Sequence, residues 1–186
     1  PFIKPVEYRS LMKLEKTISY DEMYREITDE ITERMDMSRR NVLVSHGLIL
    51  GNMADIQTID DSVRPIEIGG IEYACAEHFE AFDYVALGHL HRPQKVLWDK
   101  VRYSGSLLKY SFSEWNQKKS VILVELGEKG ALALEPVSFK PLRDLRVIHG
   151  ELEGLTALEA YEAEGREDYL KVILEDQERL VNPMDK

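Results

Sequence analysis

The stretch at residues 82–92, FDYVALGHLHR, indicates both the fold and the chemistry of this chain. Residues 84–87 form a short apolar run of the kind shown by a strand that is covered on both faces. The run leads into Gly88 and then into His89 and His91, which are separated by one residue. In an extended segment alternate side chains share a face, so this spacing predicts two convergent imidazoles. Two convergent imidazoles at the end of a strand are typical of half a metal site.

A second strand with a similar ending lies earlier in the chain. Residues 41–46, NVLVSH, form an apolar run that ends in His46 and is followed by Gly47. Ligands gather at the carboxyl ends of strands in open α/β sheets, so His46 is predicted to lie near His89 and His91. A lone histidine after a strand is more often structural, but the pairing of two such strand ends favours ligation.

The composition is that of an ordinary globular protein with an acidic balance. The chain has 186 residues, of which 44% are hydrophobic and 31% charged, and its formal net charge is −10. This charge argues against a generally basic nucleic-acid-binding surface, although a bound divalent metal with a local basic rim reverses the field within one groove. The single cysteine, Cys75, excludes an internal disulfide and fits a reducing compartment, so a cytoplasmic location is expected.

The start of the chain has neither an initiator methionine nor a basic, apolar secretory leader. It begins at Pro1 in a stretch that contains two prolines, as a segment of a longer polypeptide would. No run approaches the about 20 apolar residues that a membrane-spanning helix requires. We therefore expect a protein that does not enter the membrane and whose opening part is missing.

The pattern of residues predicts a mixed α/β (α+β) chain. Residues 1–18 show no clear period and are interpreted as an irregular lead-in. Ser19 and Glu22 form the pattern of a capping box, and an apolar stripe with a four-residue spacing follows, which together predict a helix over 20–36. The other predicted elements are a loop at 48–64, hairpins at 65–73, 95–103 (turn at 99–100) and 120–137, helices at 74–82 and 155–164, and strands at 145–150 and 169–174.

Three runs together resemble a known family. They are VSHG at 44–47, FDYVALGHLHRP at 82–93 and RYSGSLLKYSFSE at 102–114. The runs resemble the calcineurin-like metallophosphoesterases and, more narrowly, the SbcD family, the nuclease subunits of bacterial SbcC–SbcD DNA repair complexes. KKSV at 118–121 and RDLRVIHG at 143–150 continue the match, so the resemblance covers nearly the whole chain.

The resemblance implies a two-metal phosphodiesterase on a β-sandwich flanked by helices. The metals implied are two divalent ions, expected to be manganese, with His46 and His89 on one metal and His91 on the other. The whole protein would work with an SbcC-type ATPase as an ATP-dependent 3'-to-5' double-strand exonuclease and single-strand or hairpin endonuclease. Its role would lie in DNA repair and recombination.

The family's early motifs, D-x-H, G-D-x-x-D and G-N-H-D, do not occur in this sequence. They would supply the bridging carboxylate and the catalytic residues, so we expect these in an upstream phosphoesterase half. Residues 1–140 are then the C-terminal part of the phosphoesterase domain, and residues 141–186 are the start of a small α/β capping domain that binds DNA. Three imidazoles without a carboxylate bridge should not hold two metals. The chain alone is predicted to be catalytically inert.

The candidates for DNA contact lie close in sequence to the metal histidines. Phosphate contacts by such residues would be independent of sequence and sensitive to salt. The candidates are Arg92, Arg102, Tyr103, Ser104 and Lys109.

Two other functions stay open at this point. One is a different calcineurin-like phosphoesterase that acts on nucleotides or phosphoproteins. The other is a non-catalytic interaction module that keeps the fold without its metals. The tail after Pro141 favours the nuclease, because simple phosphatases of this class end near the last strand of the sandwich.

Overall fold

The computed structural model describes residues 3–51, 72–157 and 167–177. The chain separates into two compact units, of which the first comprises Pro1–Leu107 and Lys118–Ser138 and the second Leu108–Gln117 and Phe139–Lys186. The described part is mixed α/β with several sheets and few helices, as the sequence predicts. The β-sandwich, and the division into domains at 1–140 and 141–186, stay predictions.

The first unit is built around a four-stranded sheet. The elements of this unit are α1 (Pro5–Met12), α2 (Tyr20–Arg34), β1 (Val42–His46), β2 (Ile49–Leu50), β3 (Ala74–Cys75), β4 (Tyr84–Gly88), β5 (Gln94–Val96), β6 (Trp98–Tyr103), β7 (Ser120–Leu126) and β8 (Leu132–Ser138). The strand order in the four-stranded sheet is β1-β4-β6-β5. Strands β1, β4 and β6 are parallel, and β5 pairs with β6 in the antiparallel sense. Two smaller sheets pair β2 with β3 and β7 with β8.

The core of the first unit lies on the inner strands of this sheet and on α2. Val85 of β4 and Val101 of β6 are cross-strand partners, and both are fully buried, as is Met23 of α2. Burying an aliphatic side chain of this size contributes about 1.5–3 kcal/mol. The apolar run at 84–87 is therefore a central strand covered on both faces, as predicted.

The predicted capping box begins α2. The Ser19 hydroxyl accepts a hydrogen bond from the backbone N–H of Glu22, and the Glu22 carboxylate accepts one from the backbone N–H of Ser19. The helix ends at Arg34 rather than at 36. Of the predicted stripe, Met23 is buried, Ile27 and Met35 are partly buried against the core, and Ile31 is 37% exposed.

Three local predictions for the first unit were wrong. The predicted irregular lead-in contains the helix α1. This helix is started by local capping and not by a periodic apolar pattern, because Pro5 occupies its first position and Glu7 accepts a hydrogen bond from the backbone N–H of Lys4. The predicted helix at 74–82 is β3 followed by the 3-10 helix Ala76–Phe79. The hairpin predicted at 95–103 turns at Leu97, with φ of 59°, so that the predicted turn residues 99–100 lie within β6.

The hairpin predicted at 120–137 is confirmed as β7 and β8, with nearly the predicted bounds. In the second unit, β9 (Leu145–Gly150) and β10 (Tyr169–Leu174) are parallel partners with the bounds that the sequence predicts. Helix α3 (Leu152–Thr156) starts earlier than predicted, and the rest of the 155–164 prediction falls largely outside the described residues. A 3-10 helix at Phe112–Glu114 completes this unit. Most of the predicted loop at 48–64 and hairpin at 65–73 lies outside the described residues.

In the described ranges, no helix is both long and apolar enough to cross a membrane.

The turn between β7 and β8 is tied to the start of β4 by one lysine. The Lys129 ammonium donates hydrogen bonds to Asp83 Oδ2 over 2.6 Å and to the carbonyl of Arg39 over 2.7 Å. The same Asp83 oxygen accepts from the backbone N–H of Asn41, just before β1, over 2.7 Å. Burial alone would raise the pKa of Asp83, but the bonds from Lys129 and Asn41 outweigh it and hold the pKa below its usual range.

We expect Lys129→Met to lower the free energy of unfolding at pH 7 by about 1 kcal/mol, since the lysine is partly solvated. A carboxyl whose folded pKa is depressed contributes stability above its unfolded pKa and loses it as the pH falls through the folded value. The deficit of the variant should therefore shrink below about pH 4. Urea unfolding at several pH values measures the difference in the free energy of unfolding between the variant and the unmodified protein. Glu128→Gln, in the same turn, is the control. An equal deficit at pH 7 and pH 3 would contradict this account.

Candidate metal centre

The register of the central sheet brings the two predicted histidine segments to one edge. His46, the last residue of β1, is the direct partner of Gly88, the last residue of β4. Because the strands are parallel, their carboxyl ends lie side by side. The His46 and His89 ring centroids are 5.5 Å apart, with the ring planes at 84°. The predicted neighbourhood of these two histidines is thus present in the structure.

The backbone at His89 is not extended, so the alternation of side chains along a strand does not apply to His89 and His91, and the convergence of their imidazoles stays a prediction. Strand β4 ends at Gly88, and His89 has φ of 119°, so the segment does not continue in the extended form that alternation assumes. A positive φ in a residue other than glycine is uncommon, and such strained conformations cluster at functional sites. Both His89 and His91 are half-buried, whereas His46 is exposed.

The backbone after His46 is held by two tyrosines. The Tyr24 hydroxyl donates to the His46 carbonyl over 3.0 Å. The Tyr103 hydroxyl donates to the Gly47 carbonyl over 2.8 Å and accepts from the backbone N–H of Ile49 over 2.7 Å. These bonds fix the main chain that carries the His46 imidazole.

Gly88 leaves the space that the His46 ring occupies. A Cβ added to Gly88 would lie 2.8 Å from His46 Nδ1, closer than such contacts occur in proteins. Any other residue at this position would therefore displace the imidazole. The site therefore requires glycine at position 88.

Burial lowers the pKa of His89, and the neighbouring His46 and His91 lower it further. A lowered pKa keeps the imidazole neutral at physiological pH. Neutral imidazole is the form that binds metal ions.

The segment around His91 is supported by a buried lysine that no sequence pattern identifies as part of the site. Lys119 is 8% exposed, and its ammonium donates to the His91 carbonyl over 2.9 Å and to the Ser106 hydroxyl over 2.8 Å. The backbone N–H of Ser106 also donates to the His91 carbonyl, over 3.0 Å. In the sequence the KKSV run contributes only to the family resemblance, because two adjacent lysines give no sign that one of them is buried.

The turn at 104–106 packs against the same carbonyl. Gly105 has φ of +81°, and a Cβ there would lie 2.8 Å from the His91 carbonyl oxygen. The position therefore requires glycine for its conformation and for its close contact. Lys119 and this turn together hold the main chain of His91.

The three histidines supply part of a metal-ligand set. Their ligand atoms do not form a group of three within 4.8 Å; among the described residues such a group is formed by Asp21, Cys75 and His78. Imidazoles suit manganese, zinc or iron, but a two-metal centre also needs a bridging carboxylate. The histidines thus fit a divalent metal pair only with further ligands.

The residues predicted to contact DNA have different surroundings. Arg92 is exposed and Ser104 is half-buried. The Nε of Arg102 is buried and has no hydrogen-bond partner within the described part of the chain. Tyr103 is fully buried with its hydroxyl bonded to backbone, so its side chain positions the segment after His46 and is not placed to reach a ligand.

Lys109 lies in the second unit and is engaged within it. Its ammonium donates to Asp144 Oδ2 over 2.9 Å and to the Leu145 carbonyl over 3.3 Å. The Lys109 side chain is largely buried, so its charge is neutralised locally. A phosphate contact by Lys109 would have to compete with this ion pair.

This chain is similar to a known protein family and to a known protein. Residues 141–186 match the SbcD C-terminal family model, which is described as the type 5 capsule protein repressor C-terminal domain. The whole chain is 32% identical over 186 residues to the SbcD component of the nuclease SbcCD of Staphylococcus epidermidis (strain ATCC 12228 / FDA PCI 1200). The chain spans 48% of the length of that relative and corresponds to its C-terminal part.

We expect Gly88→Ala to displace the His46 ring, because the added Cβ would lie 2.8 Å from His46 Nδ1. Histidine ring resonances in NMR spectra report the displacement. Gly154→Ala is the matched control, because nothing lies within 4 Å of a Cβ at that position. An unshifted His46 resonance in Gly88→Ala would contradict the steric argument.

We expect Lys119→Met to lower the free energy of unfolding by about 1–3 kcal/mol, because it leaves the His91 carbonyl without its charged donor. Lys118→Met, at the exposed neighbouring position, should change the free energy of unfolding by less than about 0.5 kcal/mol. Thermal and urea unfolding measure both variants. Equal effects of the two substitutions would remove Lys119 from the support of the His91 segment.

Proposed function

We propose that this chain is part of a two-metal DNA nuclease, because it matches the SbcD C-terminal family model and, along its whole length, the SbcD component of a nuclease. The observation that carries the proposal is the pairing of His46 and His89 at the aligned ends of β1 and β4. In the proposed site His46 and His89 bind one divalent metal, and His91 binds the other. The ions are proposed to be Mn²⁺, since imidazole and carboxylate ligands suit it.

The remaining ligands are proposed to come from an upstream phosphoesterase half. Two features support this. The chain spans about half the length of the relative that it matches. Among the described residues, strand β1 is an edge strand on the parallel side of the sheet, and Val44 on it is 78% exposed. Since parallel sheets are ordinarily covered and their edges paired or protected, we propose that the upstream half packs beside β1 and completes the sandwich.

The bound metals would supply a nucleophilic hydroxide from water at neutral pH and would stabilise charge on the scissile phosphate. The chain's own residues hold the ligands in place for this chemistry. The Tyr24 and Tyr103 hydroxyls fix the main chain after β1, and Lys119 fixes the main chain at His91. The partial burial of His89 keeps its imidazole neutral and ready to ligate, since burial lowers its pKa.

The proposed substrate is DNA, contacted through its phosphates. The candidate that the geometry supports best is exposed Arg92, with half-buried Ser104 nearby in sequence. Arg102 is less well placed, because its Nε is buried and its Nη1 already lies 3.4 Å from Asp99 Oδ1. Contacts of this kind carry no sequence information and weaken as salt rises. We propose double-strand exonuclease and single-strand endonuclease activities in the cytoplasm, together with an SbcC-type ATPase, in DNA repair and recombination.

The test is Mn²⁺-dependent cleavage of linear double-stranded DNA by this segment joined to its native upstream sequence. We expect cleavage by the joined protein and none by the 186-residue chain alone, whose sequence lacks the motifs that supply the bridging carboxylate. His89→Ala should reduce the rate by at least about 100-fold. His149→Ala is the control, because this exposed histidine lies on β9 in the second unit.

Two results would contradict the proposal. Cleavage that survives His89→Ala would mean that the metal site lies elsewhere. Hydrolysis of small phosphate esters without any cleavage of DNA would instead indicate a phosphoesterase that acts on nucleotides or phosphoproteins.

A further inference from the structure

A second cluster of potential metal ligands lies in the first unit, apart from the histidines discussed above. It combines Asp21 in the first turn of α2, Cys75 in β3 and His78 in the 3-10 helix that follows. One ligand atom from each lies within 4.8 Å of the others. Three separate elements thus bring a carboxylate, a thiol and an imidazole to one point.

The hydrogen bonds in this cluster converge on the carboxylate. Asp21 Oδ1 lies 2.7 Å from His78 Nε2 and accepts from the backbone N–H of Cys75, also over 2.7 Å. These two bonds both end on Oδ1. Burial raises the pKa of the Cys75 thiol, and its hydrogen bond to Asp21 raises it further. In the metal-free cluster the Asp21 carboxylate is therefore the common hydrogen-bond partner of the Cys75 thiol and the His78 ring.

We propose that Asp21, Cys75 and His78 form a zinc-binding site. In it the Cys75 thiolate, the His78 imidazole and the Asp21 carboxylate bind one Zn²⁺, and a water molecule occupies the fourth position. Bonds of about 2.0–2.3 Å in a tetrahedral site place the ligand atoms about 3.3–3.8 Å apart. The cluster reaches this geometry when the cation replaces the hydrogen bond between Asp21 and His78.

The donor types select the metal. A thiolate is a soft ligand that favours zinc over the hard ions magnesium, calcium and manganese. Zinc binding releases the thiol proton to the solvent, so the raised pKa of Cys75 is overcome by the charge of the metal. The site does not depend on the nuclease proposal, because it shares no ligand with His46, His89 and His91.

A structural role without metal would need fewer of these groups. The hydrogen bond between Asp21 and His78 already joins α2 to the 3-10 helix, and the backbone N–H of Cys75 joins α2 to β3. Neither bond requires a thiol at position 75. The two accounts differ in whether the Cys75 sulfur acts as a ligand, and this can be measured directly.

The experiment uses Co²⁺, which binds zinc sites and gives an absorption band in the near ultraviolet when a thiolate is a ligand. Cys75 is the only cysteine of the 186-residue chain, so such a band reports on this site even if Co²⁺ also binds elsewhere. We expect a band that saturates at one equivalent in the metal-free protein. One equivalent of Zn²⁺ should abolish it.

The variants separate ligation from folding. Cys75→Ser, nearly the same size, should lose the band while its far-ultraviolet circular dichroism is unchanged. His78→Gln should weaken Co²⁺ binding at the thiolate site by about tenfold or more. His149→Gln, the control at an exposed position on β9, should leave the binding unchanged.

The proposal is overturned if saturating Co²⁺ gives no thiolate band. It is also overturned if His78→Gln leaves the band and its titration curve as in the unmodified protein. Either result would identify the cluster as a hydrogen-bonded tie between α2 and the elements beside it.

Discussion

The segment at residues 46–49, where the chain leaves β1, is held by the hydroxyls of two buried tyrosines, and the site depends on these bonds. Tyr24 reaches it from α2 and Tyr103 from β6. A backbone carbonyl in a largely buried position must find a donor, and a phenol supplies one while its ring packs in the core. The helix and the sheet are thereby joined at the point where His46 ends the strand.

The parallel register of β1 and β4 turns this local constraint into a site. His46 and Gly88 are partners, so the residues after both strands emerge at the same edge of the sheet. Gly88 leaves room for the His46 ring, and burial keeps His89 neutral. Lys119 then fixes His91 through its main chain. The lowered pKa of His89 keeps that imidazole in the neutral form that binds metal ions, and a pair of metals would need carboxylates in addition.

Prediction from the sequence succeeded where a local pattern controls the structure. The capping box at Ser19 and Glu22, the apolar runs of β1 and β4, and the hairpin of β7 and β8 are confirmed. It failed where the signal was weak or where two patterns competed. Helix α1 starts at a proline with little periodicity, and the turn at Leu97 carries no glycine or asparagine to mark it.

The sequence by itself determined which strands end in histidine and which family the chain resembles, because these features are written in short contiguous runs. The tertiary structure decided which side chains the fold buries and joins. It placed Tyr103 in the core, made Lys119 a support for His91, and brought Asp21 to Cys75 and His78. Those last contacts span 54 and 57 residues. No local pattern encodes them, since they arise only when α2 packs against β3 and the 3-10 helix.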